Sequence, residues 1–146
     1  MKVKKIGLAC DHAGYILKEI IKNKLSLEGY QIVDFGCDTD ESCDYPDYAH
    51  PLARSLENGE VNYGLSICGS GNGINMVVNK YSSIRSALCW NEELAELARS
   101  HNDANVCALP ARFINTDTAL KTVNVFLSTE FEGGRHKRRI DKIAIK

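Results

Sequence analysis

A cysteine directly precedes three glycines that alternate with other residues. Cys68 follows the apolar run 64–67, and Gly69, Gly71 and Gly73 come next, before apolar residues resume at helical spacing. Alternate glycines leave backbone N–H groups uncovered, so these groups can converge on a negatively charged oxygen. The N-terminus of a following helix points free N–H groups the same way and favours an ionised thiol. The stretch therefore predicts a strand, an anion-binding loop and a helix, with a thiol suited to act as base or nucleophile.

Two better-known glycine loops do not fit this spacing. The dinucleotide fingerprint requires G-x-G-x-x-G, and the phosphate loop of nucleotide hydrolases requires Gly-Lys-Ser/Thr, whereas Gly73 is followed by Ile74. For the glycines alone, an ordinary strand-to-helix turn is the simpler interpretation. The thiol of Cys68 at the head of the loop favours a functional one.

Composition and charge restrict the class of protein. A chain of 146 residues, 44% hydrophobic and 25% charged, fits one domain over residues 1–146. The net charge of -1 provides no overall field for nucleic acid or an anionic membrane. The apolar run 6–10 is interrupted by Asp11 and is too short for a signal sequence or a membrane span. We expect a soluble, cytoplasmic protein.

The cysteines favour free thiols over disulfides or zinc. None of the six forms a C-x-x-C pair, and three lie in or at the end of apolar runs, where a reduced cysteine behaves as a small hydrophobic residue. Cys10 with His12, or Cys37 with Cys43, could be proposed as zinc ligands. Neither pair has a second ligand pair at a recognised spacing, so we expect no metal.

Apolar patterning predicts strands that alternate with helices. The predicted strands are 5–10, 31–35, 64–67, 84–89 and 105–109, and the helices are 14–28, 47–58, one opening near 74, one after the N-cap Asn91, and 116–128. A basic segment, 135–139, continues into a short amphipathic end. Such alternation favours an α/β fold with a parallel sheet covered on both faces.

In such a sheet, ligands bind beyond the carboxyl ends of the strands. The reactive side chains that the pattern places there are Asp11, His12, Cys68, His101, Asn102 and Arg112. Asp11 could instead cap the first helix, and His101 could close the helix before it. Their joint position at one edge favours a shared site.

Short motifs spread in order over nearly the whole chain resemble the type B ribose-5-phosphate isomerases, which belong to a wider family of sugar-phosphate isomerases. They are CDHAG at 10–14, DYP at 44–46, ICGSGNGI at 67–74, NK at 79–80, Arg85, HNDANV at 101–106 and EGGRH at 132–136. The resemblance implies a Rossmann-like three-layer α/β/α sandwich with a five-stranded parallel sheet in the order 2-1-3-5-4. It also implies a homodimer or dimer of dimers with active sites shared between subunits.

The resemblance also implies roles for individual residues. Cys68 resembles the general base and His101 the acid that opens the sugar ring. The remaining positions match an anion hole (Gly69, Ser70, Gly71, Asn72, Gly73), a ligand-binding pair (Asp11, His12), a sugar contact (Asn102) and phosphate-binding arginines (Arg112, Arg135, Arg139). The arginines, His101 and Asn102 would come from the neighbouring subunit, on which the segment of about 135–146 would dock. Some relatives carry a glutamate where this chain has Asn75, and lack the cysteine.

The implied reaction interconverts D-ribose 5-phosphate and D-ribulose 5-phosphate, in the non-oxidative branch of the pentose phosphate pathway, through an enediolate. It needs a base for a weakly acidic carbon, donors that hold the new oxyanion, and a clamp on the phosphate. A thiolate, backbone N–H groups and arginine forks meet these needs. Neither a metal nor an organic cofactor is required.

Three alternatives remain. A six-carbon phosphosugar, allose 6-phosphate or galactose 6-phosphate, could be the substrate; galactose-6-phosphate isomerase has two kinds of subunit that each tend to lack one half of the site, and this chain carries both halves. A nucleotide- or flavin-binding module would leave Cys68 and His101 without a role. A nucleic-acid patch at 135–139 would be short and without aromatic stacking residues.

Overall fold

The computed structural model describes residues 3–145, so the ends of the predicted domain 1–146 and the last residue of the predicted docking segment 135–146 lie outside the described residues. The strands are β1 (Lys5–Cys10), β2 (Gln31–Asp34), β3 (Tyr63–Cys68), β4 (Ser86–Leu88) and β5 (Val106–Pro110). The helices are α1 (Tyr15–Leu27), α2 (Tyr45–Glu57), α3 (Asn72–Val78), α4 (Glu92–Ser100), α5 (Thr116–Ser128) and α6 (Arg135–Ile140). Within 3–145, no helix is long and apolar enough to span a bilayer.

The five strands form one parallel sheet in the order β2-β1-β3-β5-β4, as predicted. Almost every residue of β1, β3 and β5 is buried, whereas the edge strands β2 and β4 are partly exposed. The continuous apolar runs of the sequence therefore correspond to β1, β3 and β5, the strands that are covered on both faces. The register pairs Cys68 with Pro110, so β3 and β5 end side by side.

Helices cover both faces of the sheet, which confirms the predicted Rossmann-like sandwich. Apolar side chains of α1, α4 and α5 form one core cluster, with Phe126 and Ile21 fully buried. Those of α2 and α3 form a second cluster with Val106 of β5. Lys18 of α1 is also fully buried, and its ammonium donates to both carboxylate oxygens of Asp34, at 2.8 and 2.9 Å.

Three elements differ from their predicted bounds by two residues, and others by one; α3, for example, starts at Asn72 rather than near Ile74. Helix α2 starts at Tyr45 rather than near Asp47, because Pro46 lies in the first turn, where no backbone N–H is required. Strand β4 is shorter than 84–89, because the Ile84 N–H closes a turn with the Tyr81 carbonyl.

Candidate active site

Cys68 lies at the last position of β3, at the head of a loop with free backbone donors. Gly71 has a φ of 77°, a left-handed conformation that turns the chain from β3 into α3. The N–H groups of Ser70, Gly71 and Gly73 have no hydrogen-bond partner within residues 3–145, whereas the Asn72 N–H is capped by the Ser70 hydroxyl at 3.2 Å. The loop thus offers three donors to an anionic oxygen beside a thiol that is 4% exposed.

Tyr45 and Arg112 flank this loop on two sides. A Cβ atom at Gly73 would lie 2.5 Å from the Tyr45 ring, so only glycine admits this close packing. At Gly69, a Cβ atom would lie 3.3 Å from the Arg112 guanidinium. The backbone N–H of Arg112 donates to the Gly69 carbonyl at 3.0 Å. The expectation that Arg112 reaches the site from a neighbouring subunit is therefore wrong, since Arg112 lies beside the loop of its own chain.

Asp11 and His12 follow β1 and face an open cleft. Asp11 Oδ1 accepts hydrogen bonds from the Ala13 and Gly14 N–H groups, at 3.0 and 3.2 Å, so this carboxylate caps the short 3-10 turn His12–Gly14 that leads into α1 rather than α1 itself. The Cys43 N–H donates to His12 Nδ1 at 3.2 Å. Nδ1 is then the acceptor nitrogen, and the proton of the neutral ring is on Nε2, available to a ligand. The cleft has a volume of about 570 Å³ and is completed by residues 42–47.

His101 and Asn102 lie at the opposite edge of the sheet. They follow α4 and precede the first residue of β5, where parallel strands begin, and the Asn102 carbonyl accepts a 2.9 Å hydrogen bond from Arg85, which precedes β4. The expectation that His101 shares the ligand-binding edge with Asp11 and Cys68 of the same chain is therefore wrong. The physical reason is that a helix returning from a parallel strand ends at the amino edge of the next strand.

At this amino edge, His101 stacks on His136 of α6. The ring centroids are 4.0 Å apart with 12° between the planes. One carboxylate oxygen of Glu132 lies 3.9 Å from His101 Nε2 and 3.4 Å from His136 Nε2. Burial lowers the pKa of His136, and the adjacent His101 and Arg135 lower it further, so the surroundings favour the neutral form of this ring.

The basic helix α6 carries the remaining predicted residues. Arg135 and Arg139 are exposed, and their spacing of four residues puts them on one face of the helix. Since α5 runs back from β5, α6 also lies at the amino edge, where it contacts His101 through the stacked ring of His136.

The structure thus divides the predicted site residues into two groups. The carboxyl-edge group contains Asp11, His12, Cys68, Gly69, Ser70, Gly71, Asn72, Gly73 and Arg112, and the amino-edge group contains His101, Asn102, Arg135 and Arg139. Sequence reasoning assigned no role to Tyr45, Glu132 or His136. Each of these lies inside a motif noted above, and the spacing of four between Glu132 and His136 was the available signal.

The thiols first considered as zinc ligands are poorly suited to that role. Cys10 Sγ and Cys37 Sγ lie 3.7 Å apart and both residues are fully buried. Burial raises the pKa of the Cys10 thiol, and the nearby Cys37 raises it further, whereas metal binding requires the thiolate.

Comparison with known proteins assigns the chain to a family. The family model described as "Ribose/Galactose Isomerase" matches residues 6–143. Ribose-5-phosphate isomerase B of Escherichia coli is 40% identical over 141 residues, which cover 97% of this chain and 95% of that protein.

Solved structures agree with that match. The ribose 5-phosphate isomerase of Thermotoga maritima has a TM-score of 0.94 and 47% identity, covering 96% of this chain and 97% of that one. Ribose-5-phosphate isomerase B of Mycoplasma genitalium, solved with bound ribulose-5-phosphate, has a TM-score of 0.92 and 41% identity, covering 98% of this chain and 95% of that one. This chain belongs to the ribose/galactose isomerase family.

Proposed function

We propose that this protein interconverts D-ribose 5-phosphate and D-ribulose 5-phosphate. Its relative in E. coli is named a ribose-5-phosphate isomerase, and the similar M. genitalium structure contains bound ribulose-5-phosphate. The single observation that carries the proposal is the Cys68 thiol at the head of a loop in which three backbone N–H groups have no hydrogen-bond partner among residues 3–145. That arrangement combines a base with an oxyanion site, which is what proton transfer through an enediolate requires.

In the proposed reaction, the Cys68 thiolate removes the proton from C2 of the open-chain aldose. The electron pair forms the C1–C2 double bond, and O1 takes the negative charge, which the N–H groups of Ser70, Gly71 and Gly73 stabilise. The Cys68 thiol then returns the proton to C1 while the O2 proton moves to O1, which gives the ketose. Each well-aligned backbone donor contributes roughly 3 kcal/mol to such an oxyanion.

We further propose that the amino-edge group of one subunit completes the carboxyl-edge site of another in a homodimer or dimer of dimers. His101 would protonate the ring oxygen as the sugar opens, and Asn102 would contact a sugar hydroxyl. Arg135 and Arg139 would bind the phosphate together with Arg112 of the first subunit, since planar guanidinium groups match phosphate oxygens. This division is supported by the opposite positions of the two groups in one chain.

Exposed apolar side chains provide surface for such a dimer. Trp90 is 53% and Phe113 75% exposed just beyond the carboxyl ends of β4 and β5, and Ile143 is 60% exposed beyond α6. Large exposed apolar residues at the edges that must meet are typical of an interface. We propose that the segment 135–146 docks there on the partner. The free thiols fit a reducing, cytoplasmic location.

A six-carbon phosphosugar is the second candidate substrate, because the matching family model includes galactose isomerases. The cleft at Asp11 and His12 has a volume of about 570 Å³, which is enough for a hexose phosphate as well as a pentose phosphate. Parallel assays with allose 6-phosphate and galactose 6-phosphate separate the candidates. A higher kcat/KM on either hexose phosphate than on ribose 5-phosphate would replace the pentose assignment.

The test is conversion of ribose 5-phosphate by chelator-treated protein. We expect activity with chelator present, a loss of at least about 10²-fold in Cys68→Ala, and near-normal rates in Cys89→Ala, a matched change of a buried thiol. Circular dichroism should show that both variants fold. If Cys68→Ala folds and keeps most of its activity, Cys68 is not the base; if chelation abolishes turnover, the metal-free mechanism is wrong.

A further inference from the structure

Three ligand atoms of the amino edge converge, and one of them is buried without a hydrogen-bond partner among residues 3–145. Atoms of His101, Glu132 and His136 all lie within 4.8 Å of one another, the one such group among residues 3–145. The His136 side chain is only 7% exposed, yet its buried Nε2 has no hydrogen-bond partner within that range. A buried imidazole nitrogen without a partner is costly, which indicates that another group satisfies it.

We propose that His101, Glu132 and His136 bind a divalent transition-metal ion, with Zn²⁺ the best match. Two imidazoles and one carboxylate, with a fourth position open to water, form a common zinc ligand set. Tetrahedral bonds of about 2.1 Å place ligand atoms roughly 3.4 Å apart. The Glu132–His136 separation of 3.4 Å already meets this, and the Glu132–His101 separation of 3.9 Å exceeds it slightly.

Closing the Glu132–His101 distance requires movement of His101, the more exposed of the two rings. The nitrogen lone pairs of stacked imidazoles lie in nearly parallel planes, so His101 must tilt to share an ion with His136. The His101 side chain is 39% exposed and makes no hydrogen bond within residues 3–145, so the tilt costs part of the stacking on His136 but breaks no hydrogen bond among these residues. Glu132 is anchored through its own N–H, which donates to the Ser100 carbonyl at 3.0 Å.

Nearby charges set the strength of this site. Arg135 and Arg139 act on His136 as positive neighbours, so they repel a cation and Glu132 alone offsets them. The site should therefore bind Zn²⁺ reversibly rather than hold it as a structural ion. Occupancy would use the His101 lone pair and so inhibit isomerisation; this consequence rests on the proposed function, whereas binding itself does not.

Calorimetric titration of chelator-treated protein with Zn²⁺ alone tests the binding. Glu132→Gln should weaken the tightest Zn²⁺ binding at least about tenfold, while Glu130→Gln, a matched change at an exposed position nearby, should leave it unchanged. His136→Gln should act like Glu132→Gln if circular dichroism shows it folded. Equal Zn²⁺ binding by Glu132→Gln and the unchanged protein would overturn the proposal.

Cobalt substitution distinguishes these ligands from the thiols. We expect weak visible bands of tetrahedral Co²⁺ without the intense near-ultraviolet band of a cobalt–thiolate bond; that band on the tightest site would assign the metal to cysteine and overturn the proposal. In the isomerase assay, Zn²⁺ should inhibit the unchanged protein and the Glu130→Gln variant but not Glu132→Gln. Zinc binding by this cluster in a protein without isomerase activity would refute the proposed function and leave the metal site standing.

Discussion

The turn at Gly71 should be the most sensitive point of the loop to a single methyl group. In Gly71→Ala, the added Cβ would lie 2.4 Å from Leu88 Cδ1 and 3.2 Å from the Leu109 backbone, in a residue held at a φ of 77°. A left-handed alanine costs about 1–2 kcal/mol. Overpacking against two strands costs about 1–3 kcal/mol more. The free energy of unfolding should therefore fall by about 2–5 kcal/mol.

Thermal unfolding checks this loss of stability, and enzyme kinetics checks the effect of the substitution on the oxyanion site. For a chain of this size the melting temperature should fall by roughly 6–20 °C. At a temperature where the variant is folded, kcat should fall by about 10²–10³, because the turn no longer aims its N–H at the oxyanion. The control is Gly69→Ala, whose Cβ meets only the flexible Arg112 side chain, at 3.3 Å, and which should melt within a few degrees of the unchanged protein. Equal melting temperatures of Gly71→Ala and Gly69→Ala would contradict this explanation of the turn at Gly71.

Three further outcomes are expected. His101→Asn should lose more activity on ribose 5-phosphate than in the reverse direction, because ribulose 5-phosphate is already open-chain; equal losses would remove His101 as the ring-opening acid. Partial burial acts to raise the pKa of Asp34, but hydrogen bonds from Lys18 and Lys22 outweigh burial, and the net pKa is lowered. The ionised Asp34 therefore stabilises the folded protein above the usual carboxyl pKa, and this stabilisation is lost as pH falls through the lowered value. Asp34→Asn should thus cost about 3 kcal/mol in urea unfolding at pH 7 and less in acid; a cost independent of pH would contradict this. Iodoacetamide should modify Cys68 and the partly exposed Cys43 before the fully buried thiols, as peptide mass spectrometry can show; equal modification of the buried Cys107 would contradict this.

Much of the fold could be predicted because local patterns and tertiary packing agree. The apolar run of β1 and the helical spacing of α5 have the predicted bounds, 5–10 and 116–128. Strand β4 could not be bounded so well, because its ends are decided by non-local hydrogen bonds, such as that from the Arg85 N–H to Asn105 Oδ1 at 2.9 Å. Sequence periodicity contains no information about that partner.

The composition of the site was predictable from the sequence, but the strand and helix pattern alone did not indicate its division. That pattern placed Cys68 and His101 at one edge, whereas the family resemblance assigned His101 to the neighbouring subunit. The order of elements along the chain decides at which edge of the sheet a residue lies. Cys68 ends a strand and so lies at the carboxyl edge, whereas His101 follows a helix and precedes a strand and so lies at the amino edge. Arg112 was assigned to the wrong subunit because its contact with Gly69 depends on the pairing of β3 with β5, which only the three-dimensional structure shows.

Complementation between inactive chains tests most directly whether the two edges meet across subunits. Cys68→Ala and His101→Asn chains, unfolded and refolded together in equal amounts, should regain about a quarter of normal activity, because half the dimers are mixed and each mixed dimer has one intact site. Cys68→Ala with Arg112→Ala, two changes at the same edge, should regain none. Mixed dimers shown to form by mass spectrometry but without activity in the first pair would contradict the shared site.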